Sequence, residues 1–156
     1  MKKLTKVFSV FIAVLVFTSI ALFTWASEKV NAAPAPALSQ FEIVGIAKPG
    51  EFNGQGTYVP KSYASRVDFD STVYVITKQM GYGIIRYNVD GKYADTREVK
   101  RVPIQGIDSN GARAVQGWII VNAINGLSSG NHTINAACNS SVGTRIINDS
   151  VTITVK

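Results

Sequence analysis

Residues 83–92 read GIIRYNVDGK, an alternating run that ends in an Asp-Gly pair. Successive side chains of an extended strand point to opposite faces, so Ile85, Tyr87 and Val89 share one face while Arg86 and Asn88 share the other. Asp90-Gly91 follows with two residues that tolerate positive φ, as a tight hairpin requires. A chain built around such a segment belongs in a β-sheet.

The remaining sequence repeats the theme. Residues 41–48 form a first strand candidate carrying Phe41 and Ile43, closed by Pro49-Gly50. Residues 51–56 (EFNGQG) read as a loop, and Pro60 makes 58–69 an edge segment or long connection leading to Val67 and Phe69. STVYVITK, 71–78, is β-branched and aromatic without strict alternation, which predicts a central strand covered on both faces. Residues 93–99 are expected to return as the hairpin partner of 83–89, and 102–107 to form a further strand whose Pro103 marks an edge.

Asp108-Ser109-Asn110-Gly111 reads as a turn; it resembles the start of a calcium loop, but the twelfth position from Asp108 is Ile119 where such a loop carries Glu. AVQGWIIVNA, 114–123, brings in Trp118, expected as a main core residue. In 127–138, Ile134, Ala136 and Cys138 share a face, and the closing Val151, Ile153 and Val155 alternate with Thr152, Thr154 and Lys156. Seven to nine short strands, with no helical periodicity beyond the amino-terminal stretch, predict an all-β antiparallel sandwich over 41–156.

The amino terminus is different. Lys2, Lys3 and Lys6 precede an apolar run over 7–26, and Val30-Asn31-Ala32 fits a signal peptidase site, so 1–32 is expected to be a signal peptide, helical in its apolar part, cleaved after Ala32. If uncleaved, the run is long enough to act as a membrane anchor, the one membrane contact the sequence suggests. APAPALSQ, 33–40, reads as an extended linker, because alternating Pro and Ala bury little. No sorting signal follows Lys156, so covalent wall anchoring is not expected.

Charge and cysteine content narrow the function. The chain has sixteen Lys and Arg against ten Asp and Glu, but four of the bases and one acid lie in the leader, leaving a net of +3 on the mature part. Nucleic acid binding calls for clustered cations, and Arg97, Lys100 and Arg101 are the nearest approach to a cluster. No nucleic acid partner is expected. Cys138 is the single cysteine, so the fold must hold without an intramolecular disulfide. An exported, disulfide-free chain fits a bacterial envelope, and the Asn-x-Ser/Thr triplets at Asn131, Asn139 and Asn148 are then chance matches.

Val89-Asp90-Gly91-Lys92, the corner LSSGNHTI at 127–134 and the closing VTITV at 151–155 together resemble the bacterial immunoglobulin-like modules appended to cell-surface and cell-wall proteins of Gram-positive bacteria. The resemblance spans 83–156. It implies an immunoglobulin-like sandwich and a binding or adhesive role without catalysis, directed at cell-wall polysaccharide or an extracellular protein. It also implies that His132 sits at a corner and fixes a turn through hydrogen bonds, as a tyrosine does in related sandwiches.

Few residues suggest chemistry. His132 is the only histidine, and Cys138 on an apolar face reads as a small buried hydrophobe. Asp68 and Asp70 flank Phe69 at i and i+2 and are weak candidates for a calcium site or, less simply, a glycosidase pair. Phe52, Tyr58, Tyr63, Tyr82 and Tyr93 fall in or beside loops, where exposed rings suit sugar stacking or protein contact; the four tyrosines are the candidate ligand-binding residues. No catalytic residue and no cofactor is expected. The alternatives are a small secreted enzyme uniting Asp68, Asp70 and His132, an inhibitor presenting loop 51–56, or a purely structural envelope component.

Overall fold

The computed structural model describes residues 36–51 and 57–156. The expected leader and its cleavage site, Phe52 and most of the 51–56 loop lie outside the described residues. Ten strands and one short 3₁₀ helix make up the described part: β1 Gln40–Ala47, β2 Val59–Pro60, the 3₁₀ helix Lys61–Arg66, β3 Asp68–Phe69, β4 Val73–Met80, β5 Gly83–Val89, β6 Lys92–Tyr93, β7 Thr96–Ile107, β8 Arg113–Ile124, β9 Gly130–Ser140 and β10 Ile146–Val155. Among the described residues no helix is long and apolar enough to cross a membrane.

The strands form two five-stranded sheets, ordered β2-β1-β4-β8-β7 and β3-β10-β9-β5-β6. Every named pairing is antiparallel except β3 with β10. The expected two-layer, all-β architecture is present, with ten strands where seven to nine were expected because β2, β3 and β6 are two residues long. Alternation decides which side chains meet between the sheets. Ile43, Ile46, Val73, Val75 and Ile124 of the first sheet cluster with Phe69, Tyr87, Ile134, Ile153 and Val155 of the second, and all are buried. Removing one such aliphatic side chain from water contributes ~1.5–3 kcal/mol. A smaller cluster, Ala47, Ile76 and Val121, involves the opposite face of the first sheet, which is why β4 shows no strict alternation.

Both proline arguments hold: Pro60 lies in β2 and Pro103 in β7, the two edges of the first sheet. The hairpin expectation needs correction, since β5 finds only Lys92 and Tyr93 as partners in β6 before the chain crosses to the other sheet. Residues 96–107 then form one continuous edge strand, not two, interrupted by irregularities at Glu98/Lys100 and Ile104/Gln105. The linker expectation for 33–40 also fails over its described part. Leu38 is buried in the core, Ala37 bridges Tyr82, Ser39 N donates to Met80 O (2.9 Å) and Gln40 opens β1. Alternating Ala and Pro keep this stretch extended, and an extended segment can lie along a turn as readily as cross solvent.

One flank of the sandwich is sealed. The 3₁₀ helix buries Ala64 against β1 and β10, and Lys61 Nζ pairs with Asp149 Oδ1. Asp149 Oδ2 accepts from Ile43 N (2.8 Å), beside the irregularity between Ile43 and Gly45 in β1, so one carboxylate joins the two sheets. Burial works against the charge of Asp149, yet Lys61 and the amides of Ile43 and Ser150 hold its pKa below the usual carboxylate value. On the opposite flank, among the described residues, no helix joins β7 to the β5–β6 hairpin in this way.

Candidate functional site

The open flank carries a cleft of about 350 Å³ whose walls come from β4, β5, β7 and β8. Tyr82 enters its rim through the β4–β5 turn. Gly81 there has φ +88°, and a Cβ on it would meet Ala37 O at 2.2 Å, so the turn admits glycine and little else. Tyr82 N donates to Pro36 O (3.0 Å), and Ser141 N donates to Tyr82 O (3.0 Å). Tyr82 is therefore held by both neighbouring segments.

Across the rim stand Glu98 and Arg101. Three positions apart in a regular strand they would face opposite ways, but the register slips between Glu98 and Lys100. Glu98 then opposes Asn122 and Arg101 opposes Ile120, both on the inward face of β8. Arg101 Nε donates to Glu98 Oε1 (2.9 Å) and Nη2 to Oε2 (2.6 Å). This fork lowers the pKa of Glu98 and raises that of Arg101.

Trp118 belongs to the same cluster. It opposes Gln79 on β4 and Pro103 on β7, and it is only partly buried, which corrects its expected place in the core. The inward-facing row of β8 runs Ile124, Asn122, Ile120, Trp118, and it leaves the apolar interior before it reaches the indole. Trp118 meets Tyr82 edge to face (6.3 Å between centroids, 82°), and the Arg101 guanidinium lies 5.4 Å from its ring centroid. Its Nε1 is buried without a hydrogen-bond partner.

The floor beneath is polar. Gln79 is 1 % exposed and Asn122 is buried; Asn122 Nδ2 donates to the Tyr87 hydroxyl (3.0 Å), while burial pushes the Tyr87 pKa up to about 12 against the pull of its bonds to Thr77 and Asn122. Cys138 is buried with Ile134 and Ala136 as expected, and burial raises its thiol to about 11. Such a thiol stays protonated at neutral pH and offers no nucleophile.

A second cleft, about 560 Å³, opens at the other end of β5 between the hairpin and the β8–β9 loop. Asp90 (φ 52°) and Gly91 (φ 79°) make the turn, and Asp90 Oδ1 accepts from Thr133 N (2.8 Å). His132 Nδ1 donates to Asp90 Oδ2 (2.7 Å) and Nε2 donates to Ser128 O (2.7 Å), the turn-fixing role expected of it. Both ring nitrogens face acceptors, which favours the protonated ring and raises its pKa, by the Ser128 bond first and Asp90 second. Asp90 is lowered in return, chiefly by the Thr133 amide and then by His132.

The four candidate tyrosines do not form one platform. Tyr58 lies against Gly45 next to β2, and Tyr63, 54 % exposed, lies under the Arg66 guanidinium (5.3 Å) in the 3₁₀ helix; both are on the sealed flank. Tyr93, 74 % exposed, borders the second cleft, and among the described residues only Tyr82 of the four joins an aromatic pair. Asp68 pairs with Lys156 Nζ, Asp70 lies in the exposed turn after β3, and His132 is committed to Asp90 and Ser128. Among the described residues no three His, Cys, Asp or Glu side chains gather as a metal site. Trp118, Glu98, Gln79 and Asn122 were not legible as site residues, because the slip that unites them depends on pairing between β7 and β8.

No curated protein and no solved structure matches the chain. One family model does match, over residues 33–153. The chain belongs to the family described as a domain of unknown function, DUF4879.

Proposed function

We propose that this protein is an exported, immunoglobulin-like binding module of the cell envelope, without catalytic activity, whose ligand is wall polysaccharide seated in the cleft beside Tyr82. The strand orders support the fold type: β1-β4-β8-β7 corresponds to strands A, B, E and D of an immunoglobulin sandwich, and β10-β9-β5-β6 to G, F, C and C′. Export is supported by the basic, apolar and small-residue pattern of 1–32 and by a family match that begins at residue 33.

The observation that carries the reading is the Tyr82–Trp118 pair, set beside a self-neutralised Glu98–Arg101 fork over a floor of buried amides. Aromatic faces suit the C–H surfaces of sugar rings, and planar side chains with fixed donors and acceptors suit their hydroxyls. The test is titration with solubilised wall polysaccharide, using a chain in which Trp25 is replaced by Phe so that Trp118 is the sole indole emitter. Trp118 emission should shift saturably, the shift should survive ~0.5 M NaCl, where the Debye length is only a few Å, and Tyr82→Ala should weaken it. Binding that disappears with salt and ignores Tyr82 would transfer the role to Arg97, Lys100 and Arg101.

A further inference from the structure

The chemistry of the cleft floor narrows the ligand class, an inference that rests on the binding reading above. Gln79 is almost fully buried, yet its contacts are long: Nε2 donates to Gly81 O at 3.5 Å and Oε1 accepts from Cys138 Sγ at 3.5 Å. A primary amide offers two donors and two acceptor lone pairs, so much of the capacity of Gln79 is unspent. Asn122 gives one N–H to Tyr87 and lines the same cleft. Buried polar groups left short of partners are costly and gain most from a ligand that completes them.

The apolar part of the lining sits close to these amides. Ile120 and Asn122 lie two apart on the inward face of β8, and Ile85 of β5, whose neighbour Ile84 turns outward, lines the cleft across from them. Glu98 and Arg101 are the only charged residues in the lining, and they neutralise each other. An ionic ligand would have to compete with that fork. A hydroxyl alone would use part of the amide capacity and leave the isoleucines facing water.

The geometry points to an acetamido group, so that the polysaccharide recognised here is built from N-acetylated amino sugars. The ligand C=O accepts from the free N–H of Gln79, its N–H donates to Asn122 Oδ1, and its methyl covers the isoleucine wall. Tyr82 then packs against the sugar ring that bears the group. This assigns Gln79 and Asn122 as specificity-determining residues and Tyr82 as a general contact.

Calorimetric titration of the full chain with three trisaccharides that share one β-1,4 backbone tests the assignment: tri-N-acetylchitotriose, its de-N-acetylated form and cellotriose. A site that hydrogen-bonds an N–H discriminates strongly against an analogue lacking it, so the acetylated sugar should bind at least about tenfold tighter than either other. Gln79→Leu should erase that preference, whereas Tyr82→Ala should weaken all three sugars together. Equal binding of cellotriose would overturn the acetamido assignment and leave the binding reading intact. Failure of every trisaccharide, with wall polysaccharide still shifting Trp118, would also overturn it; failure of the polysaccharide as well would overturn the binding reading. The wild-type series decides the question even if Gln79→Leu does not fold.

Discussion

The two flanks of the sandwich join the same pair of sheets and solve the problem in opposite ways. On the β1/β10 flank, the 3₁₀ helix fills the gap and Asp149 bonds to Ile43 and Lys61 at once. On the β7/β5 flank, the inward-facing row turns from Val73 and Val75 to Thr77 and Gln79 on β4, and from Ile124 to Asn122 and Trp118 on β8. Apolar inward residues close a sheet pair without help. Polar ones need partners, and here they are supplied partly by each other and partly by a cleft open to solvent. Stability is thus concentrated on one flank and unspent polar capacity on the other.

That contrast can be broken by substitution. The largest effect is expected in the shared core on the sealed side: Phe69→Ala should cost ~3–5 kcal/mol, enough to unfold a marginal domain in a denaturant titration. Asp149→Ala should follow at ~1–3 kcal/mol, since it leaves the Ile43 amide without its acceptor. Trp118→Ala should come next at ~1–2 kcal/mol, the worth of an edge-to-face contact and a cation–π contact, and should weaken calorimetric binding of the wall polysaccharide. A Trp118→Ala loss as large as that of Phe69→Ala would erase the distinction between the flanks.

The smallest effect is a pH dependence at the hairpin end. His132 has a raised pKa, so its contribution is complete below the ordinary histidine value of ~6.5 and is lost as pH rises through the higher folded value. Asp90 is lowered, so its contribution is present above ~3.9 and fades as pH falls through the lower folded value. Together they favour the fold most between about pH 4 and 6.5. Thermal unfolding from pH 4 to 9 should show a decline on the alkaline side that His132→Ala removes; an unchanged profile in that variant would exclude the doubly protonated ring.

What could be read from sequence follows from the range of each signal. The Asp-Gly turn, the prolines at sheet edges, the central position of 71–78 and the buried face of Cys138 depend on neighbours a few residues away, and each was legible. Trp118 reads as core in the sequence because Ile119, Ile120 and Val121 follow it, and only its partners across the sheet, Pro103 and Gln79, determine that it stands behind Tyr82 and Arg101 of the cleft. Glu98 and Arg101 were invisible as a pair because nothing in TREVKRVP announces where the register slips. Leu38 was assigned to a linker because its burial depends on the β4–β5 turn more than forty residues away.

The directions of β1 and β10 have a mechanical consequence. Gln40 pairs with Met80 at the end where β9 finishes, whereas Val155 pairs with Gly130 at the end where β9 begins, so the chain enters the sandwich at one end and leaves at the other. A pull between Leu38 and Lys156 therefore runs along the strands. The hydrogen bonds between β1 and β4, and those binding β10 to β9 and β3, are loaded together in shear, not unzipped singly. Because Asp149 couples β1 to β10, the two loaded strands also brace each other. Extending the domain along this axis therefore requires many backbone hydrogen bonds to break together, where a pull across the strands would meet them one pair at a time.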